Sequence, residues 1–416
     1  MSYLWANPTG FTKEDSDLAH SVREVARNVM RPIAQELDQM SPEAVIAPGS
    51  RFWSYMRTAY ELGYHKIAFP EEVGGLNLTP FQQYLVNEEL GWGSFGLALT
   101  TQLCLPALAV MLFQPQNEEL IKEFVLPYTE CADGSLIGCW AITEPDIGSD
   151  GLTVALPSFE DTTAKPQCKA RLDGNEYVIT GQKAAWVSAG TIARHCLLMC
   201  NVDESKGNAG NGIFVFSLDQ RGVTRGTPLS KIGARDFNQG EIFFDDVRIP
   251  RNNMLVGPEY YKAALEGWLS GSTSQVATWC VGLARAAFEE ALDYAKKRRQ
   301  GGNLLVEHSF IQGKLFQMYQ KVESARQLVL SAFVYNRTSP RPHLEYGIAA
   351  KNYASACALE VASDAVQVFG ANGITTEYLP GKLFRDARMT SICDGSSDSL
   401  SVSGGAMIAK NYPWPL

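Results

Sequence analysis

The hydrophobic pattern along the chain changes period twice. From Lys13 to about Glu130 apolar residues recur at helical spacing. Leu18, Val22, Val25, Ala26 and Val29 fall at i, i+3/i+4 positions, and Phe52 to Gly63 repeats the pattern. Pro70 and Gly74–Gly75 punctuate it before a further helix from about Thr79 to Leu90. From about Ser135 to Pro250 the period falls to two. Tyr177-Val178-Ile179 follows the turn residues Asp173-Gly174-Asn175. The short apolar runs His195 to Asn201, Gly212 to Leu218 and Glu241 to Ile249 are bounded by Gly, Asp or Pro. Several antiparallel strands are predicted there, with Pro157 to Lys165 as an exposed loop. From about Tyr260 to Asn411 the helical period returns. Ala284 to Leu292 is nearly all helix former. Two long helices are predicted over Phe310 to Asn336 and Leu344 to Phe369; Gly370-Ala371-Asn372-Gly373 stops the second, and a last helix begins near Ser396. No repeat of solenoid period interrupts this order. The pattern reads as an α+β chain: a helical domain over 1–134, an antiparallel β-domain over 135–255 and a helical bundle over 256–416.

Composition narrows the function classes. The 416 residues are 45% hydrophobic, enough for a sizeable core. A net charge of -9, spread along the chain, offers no basic face for nucleic acid and no cationic helix for a membrane surface. No apolar run approaches the roughly 18 residues that span a bilayer. Met1 to Lys13 lacks a basic start and a continuous apolar core, being interrupted by Pro8 and Gly10, so it does not read as a secretory leader. A cytoplasmic location is expected. The nine cysteines contain no CxxC pair, the closest spacing being Cys196–Cys200, and read as buried thiols with no metal site.

Several segments carry chemistry-bearing residues. Trp140-Ala-Ile-Thr-Glu-Pro-Asp-Ile-Gly-Ser-Asp150 is an apolar strand end followed by a polar turn, whose backbone and hydroxyls (Thr143, Ser149) suit a flat ring edged with heteroatoms. In Gly181-Gln-Lys-Ala-Ala-Trp-Val-Ser-Ala-Gly190, Trp186 and Ser188 alternate on one face of a predicted strand. Asp245 to Pro250 reads as a strand exit. Tyr294 to Gly302 ends a helix with four cations, which either complement the helix dipole or meet a pyrophosphate. Gln367-Val-Phe-Gly-Ala-Asn-Gly373 is a Gly-rich helix stop that a ligand can approach closely. In Phe384 to Ser397, Asp394 precedes a Gly-Ser-Ser helix start. It serves there either as an acid complementing the dipole or as a carboxylate tuned for proton abstraction at the lip of an apolar pocket.

Taken together in this order, these segments resemble the acyl-CoA dehydrogenase family. Thr-Glu-Pro-x-x-Gly-Ser-Asp, Gly-x-Lys with Trp-x-Ser, Gly-x-Arg (Gly233 to Arg235), Phe-x-Asp-Val-x-x-Pro (Phe244 to Pro250), the helix end at Arg298, Gln-x-x-Gly-x-x-Gly and the Arg-Asp-Ala core within Tyr378 to Arg388 carry the likeness, which spans about residues 11–410. The resemblance implies FAD as cofactor, lying between the β-domain and a four-helix bundle, and subunits that pair and then form tetramers. It places Ile142, Thr143 and Ser149 along the flavin with Trp186 and Ser188 near its ring. Arg298 and Gln300 would reach the FAD pyrophosphate of a neighbouring subunit. Gln367, Gly370 and Ala371 would approach that same FAD, with Ser396 and Asp398 near its adenosine part. The acyl-CoA substrate would meet Ser149, Thr273 and Gly395. A carboxylate takes the α-proton while the β-hydrogen leaves as hydride to the flavin, and an electron-transfer flavoprotein or similar acceptor then drains the electrons.

Three departures qualify the resemblance. Most members carry Glu where this chain has Asp394, and one methylene is about 1.5 Å of reach. Dehydrogenases of cyclohexane- and cyclohexene-carboxyl-CoA are similar in using Asp, which favours a compact or alicyclic acyl group with Asp394 as base. Nitroalkane oxidase also resembles the family and uses Asp, but pairs it with an Arg seven residues on, where this chain has Ser401. The usual Asp-x-x-Arg contact to CoA reads Ser270-Gly-Ser-Thr273, which leaves a carrier-protein-bound thioester open, and Gly301 replaces the Phe expected after the pyrophosphate Arg. A flavin oxidase and a partner-binding flavoprotein without catalysis are the rival classes.

Overall fold

The computed structural model describes residues 11–163 and 166–412; the segment read for a leader therefore lies largely outside the described residues. Helix α1 (Lys13–Val25) starts at Thr12, whose hydroxyl accepts from Asp15 N while the Asp15 carboxylate accepts from Thr12 N. It runs through one π-turn (Ala26–Met30) into α2 (Arg31–Leu37). After α3 (Arg51–Glu61) comes α4 (Pro80–Gly93), capped by Thr79 with Pro80 and Gln82 in its first turn. Helices α5 (Phe95–Thr101) and α6 (Leu105–Phe113) complete the first layer's core, and Phe95, Leu97, Ala98, Ala109 and Val110 are wholly buried.

The middle sheet has strands β1 (Gly138–Ala141), β2 (Lys169–Asp173), β3 (Glu176–Lys183), β4 (His195–Asn201), β5 (Asn211–Ser217), β6 (Val223–Arg225), β7 (Ile242–Pro250) and β8 (Met254–Val256). Their order is β6-β7-β3-β2-β4-β5-β8, with β1 also on β4. The sheet is mixed, which corrects the wholly antiparallel expectation: β1 lies parallel to β4 through Gly138↔His195 to Ala141↔Leu198, and β2 touches β4 in parallel at Lys169↔Asn201. Residues 142–194 separate β1 from β4, a length that permits a parallel return where a tight turn does not. The Pro157–Lys165 segment is exposed as expected at Pro157, Ser158 and Glu160 to Thr163, with one difference: Pro157–Glu160 forms a 3-10 turn that buries Phe159 fully, its ring 6.3 Å from that of Tyr261; Ala164 and Lys165 lie outside the described residues.

The last third is built on α7 (Tyr261–Lys297), a 37-residue helix, with α8 (Ser309–Thr338), α9 (Leu344–Phe369), α10 (Pro380–Thr390) and α11 (Ser397–Asn411). Helix α4 crosses α7 at bare backbone. A Cβ on Gly282 would lie 2.2 Å from Glu88 O, and one on Gly91 2.6 Å from Trp279 Cα. A buried ion network sits beside this crossing. Arg285 holds Glu88 and Glu89 at 2.8 Å each, Arg326 of α8 holds Glu88 at 2.9 Å, and Arg23 of α1 pairs with Glu89 and Glu289. The helical layer and the bundle are thus one packed body. Among the described residues no single helix is long and apolar enough to cross a membrane.

Candidate active site

Two sequence-distant motifs meet at one hydrogen bond. Helix α10 stops at Thr390, and the chain turns through Asp394 (φ 52) and Gly395 (φ 94) before Ser396 caps α11 by accepting from Ser399 N. Ser396 N donates to Ser149 Oγ at 2.8 Å, so the Thr143–Asp150 turn and the Asp394–Ser397 turn form one wall. From the other side the buried Lys351 of α9 donates to Gly395 O at 2.7 Å and to Ser397 Oγ at 3.4 Å. Lys183, in the Gly-x-Lys motif at the end of β3, secures the first turn: its Nζ donates to Ile142 O (2.9 Å) and Glu144 Oε1 (2.7 Å), while Ala184 N donates to Thr143 O (2.9 Å).

Asp394 lines a partly open cavity of about 290 Å³. Its walls are largely apolar, with Leu99, Leu103, Leu108, Trp140, Trp268 and Trp279 among them; Ser188 and Ser272 also line it. Burial raises the pKa of Asp394 above the usual aspartate value, with Lys351 and Ser272 opposing. A carboxylate in that setting is a stronger base than one in water yet remains ionisable.

Other site residues fall less simply. Trp186 and Ser188 are not on a strand, which corrects the alternation read from sequence. Strand β3 ends at Lys183, and a turn closed by Val187 N to Ala184 O carries both residues onward. The Trp186 indole is 59% exposed and not a core side chain. Ser188 bridges to Gln239, whose Nε2 donates to Trp186 O. Thr273 is turned into the bundle: fully buried, it donates to Leu269 O at 2.6 Å and sits where a Cβ on Gly347 would strike it. Its neighbour Ser272 faces the cavity instead. Asp398 is exposed in the first turn of α11. Ser401 Oγ donates to Ser397 O at 2.7 Å.

A second group gathers elsewhere. Arg298 is 26 residues beyond Ser272 at the end of the same helix, about 39 Å away at 1.5 Å per residue. There Arg299–Gln300 pairs with Asn303–Leu304 in a hairpin whose tip, Gly301 (φ 59) and Gly302 (φ 86), has the two positive φ values of a type I′ turn; Phe at 301 would be strained. Arg298 and Gln300 are exposed and 3.4 Å apart. The exposed Gln367, Gly370 and Ala371 join them through Tyr294 of α7, which stacks on Phe369 at 3.9 Å and accepts from Asn372 Nδ2 at 2.9 Å. The Gly233–Arg235 and Arg385–Asp386 motifs are mutual supports: Ala234 N donates to Asp386 Oδ1 at 2.7 Å, and a Cβ on Gly233 would overlap Arg385 O.

Sequence reasoning missed Arg337. It lines the same cavity from the end of α8, donating to Gln83 Oε1 (3.3 Å) and Gln275 Oε1 (2.8 Å), and burial lowers its pKa. A cation in the last turn of a helix is ordinary complement to the dipole, which hid it.

Comparison with known proteins follows the same three-part order of the chain. Models of the acyl-CoA dehydrogenase N-terminal, middle and C-terminal domains match residues 12–130, 139–247 and 263–402. A Bacillus subtilis protein described as probable acyl-CoA dehydrogenase YngJ is 30% identical over 390 residues, 93% of this chain and 96% of its own length. The short-chain specific acyl-CoA dehydrogenase of Clostridium acetobutylicum is 30% identical over 402 residues, covering 94% and 98%. The solved butyryl-CoA dehydrogenase of Megasphaera elsdenii superposes with a TM-score of 0.83 at 27% identity, covering 95% and 98%.

Proposed function

The chain belongs to the acyl-CoA dehydrogenase family, FAD-dependent oxidoreductases acting on CH–CH bonds, and on that footing we propose that it dehydrogenates a compact or alicyclic acyl-CoA with Asp394 as the base. The observation that carries this reading is Asp394 itself: a carboxylate of raised pKa on the wall of a partly open, largely apolar cavity of about 290 Å³. That volume is at the small end for a ligand site and suits a ring or short branched acyl group.

The residues fit a flavin. The exposed indole of Trp186, the half-buried Ile142 and Thr143, and the Ser149–Ser396 junction offer the apolar face and polar edge that we assign to the flavin ring. Bound FAD supplies the acceptor for hydride. Asp394 takes the proton from the α-carbon, Ser149 and Ser188 orient polar edges, and the apolar wall keeps water from the reacting carbons. Arg298, with Gln300, Gln367, Gly370 and Ala371 gathered near it, lies about 39 Å along α7 from Ser272 and about 28 Å from Trp279, the cavity residue nearest it on that helix. We assign them to the FAD of a second copy, and the exposed apolar side chains Phe310, Phe316, Ile374, Ile392 and Ile408 to contacts between copies. An electron-transfer flavoprotein is the proposed acceptor and the cytoplasm the proposed location. The test is anaerobic titration of the holoprotein with acyl-CoA thioesters. Bleaching of the oxidised flavin band by a cyclic thioester is the expected result; turnover of a nitroalkane with peroxide release and no bleaching by any thioester would overturn the reading.

A further inference from the structure

Three polar atoms on the wall of the Asp394 cavity are buried without a hydrogen-bond partner among the described residues: Trp268 Nε1, Gln275 Nε2 and Arg337 Nε; Ser272 Oγ, between the first two, is turned to Asp394. Trp268, Ser272 and Gln275 lie on α7 at positions i, i+4 and i+7, one stripe of a single helix face. Buried donors without acceptors are rare in folded proteins, and each one left bare is destabilising. Such a set on one cavity wall marks the place of a ligand that supplies the acceptors.

The charge of that ligand follows from Arg337. Among the described residues no carboxylate pairs with it; only the amide oxygens of Gln83 and Gln275 accept from it, and Phe333 lies 4.8 Å from its guanidinium carbon. Two of five guanidinium N–H groups are thus engaged, which leaves three. Elsewhere in this chain buried arginines have acids: Arg285 and Arg326 hold Glu88, and Arg23 holds Glu89. Arg337 is half-buried, with its Nε sealed from solvent; a guanidinium turned to a cavity wall with no anion beside it is unfavourable, so the missing anion is assigned to the ligand. Both Gln83 and Gln275 turn their carbonyl oxygens to Arg337. Gln275 thereby leaves Nε2 as a second donor beside the guanidinium, and the pair forms a fork for a carboxylate.

We infer that the acyl group of the substrate carries a carboxylate, seated on Arg337 and Gln275, a few bonds from the carbon that Asp394 deprotonates. The spacing comes from α7: Ser272 adjoins Asp394, Gln275 holds Arg337, and residues three apart on a helix have Cβ atoms roughly 5–6 Å apart. This rests on the dehydrogenase reading above and names its substrate class. The Leu99, Leu103 and Leu108 wall takes the carbon skeleton between the two ends.

The experiment compares matched thioesters on the FAD-loaded protein: pentanoyl-CoA against glutaryl-CoA, and cyclohexanecarboxyl-CoA against its ring-carboxylated derivative. Rates of anaerobic flavin bleaching are read at subsaturating concentration. The carboxylated member of at least one pair is expected to react about tenfold faster or more. Arg337→Gln should slow that member by about a hundredfold and the neutral one by less than about threefold, erasing the preference; Arg337→Lys should restore part of it. Gln275→Leu, read the same way, serves if Arg337→Gln does not fold. Faster reaction of both neutral members, or equal loss for both members in the variants, overturns the inference while leaving the dehydrogenase reading intact. Failure of every thioester to bleach the flavin overturns both.

Discussion

Replacing Asp394 by Glu should slow the enzyme, although the family resemblance leads one to expect Glu there. The turn that bears Asp394 is held on both flanks, by Lys351 Nζ on Gly395 O and by Ser149 Oγ on Ser396 N. With the backbone pinned, the added methylene must be taken up by the side chain, and its carboxylate moves about 1.5 Å further into the cavity. A displacement of about 1 Å from the reacting carbon lowers rates on the order of a hundredfold. Asp394→Asn removes the base and should lower the rate by about 10²–10⁴-fold. Stopped-flow flavin reduction with the best thioester measures both, with flavin content checked by absorbance. In the native protein the rate should rise with pH as Asp394 loses its proton, with a midpoint above the ordinary aspartate value, because burial raises its pKa. Retention of more than about a tenth of the native reduction rate by Asp394→Asn, with FAD bound, would refute the assignment.

Three further outcomes follow from the fold. Burial works against the charge on Glu88, but Arg326 and Arg285 outweigh it and hold the carboxyl at about 2, well below its ordinary 4.5. A depressed acid gives stability that is present above pH ~4.5 and lost as pH falls towards 2; Glu88→Gln should therefore remove about 3 kcal/mol near neutral pH and flatten that acid limb in urea titrations. A cost under about 0.5 kcal/mol would contradict this account. Gly282→Ala places a methyl 2.2 Å from Glu88 O and should cost about 1–3 kcal/mol or prevent folding, as read by thermal melts; an unchanged melting temperature would mean that the α4–α7 crossing is looser than described. Arg298→Ala should lower retained FAD about tenfold or more through gel filtration while circular dichroism stays native, and undiminished flavin content would remove Arg298 from the cofactor site.

Much of this architecture is written in local pattern. Thr79, Pro80 and Gln82 announce the start of α4, and His195–Asn201 emerges as a strand with the bounds read from its apolar run. Parallel pairing of β1 with β4 is invisible locally, because it depends on where a 53-residue excursion returns. Trp186 misled because alternation persists through a turn. Thr273 misled for a related reason: in Ser270-Gly-Ser-Thr273 each step rotates the face by about 100°, and with small residues on every side nothing in sequence says which one meets the cavity. The Asp394 pocket was legible through motif order, whereas Arg337 becomes visible only once three helices show that it has no acid beside it.

The left-handed backbone at Asp394 acts as a filter on which acids the position accepts. At φ 52, aspartate is among the non-glycine residues enriched in left-handed backbone, because its short polar side chain can hydrogen-bond locally. Selection at this position therefore operates through conformation as well as reactivity. A lineage moving between the two acids would first have to relax the turn, by loosening Lys351 or Ser149, before the longer acid became tolerable. Changes at those two supporting residues, neither of them the base, would open the route to a different acyl group.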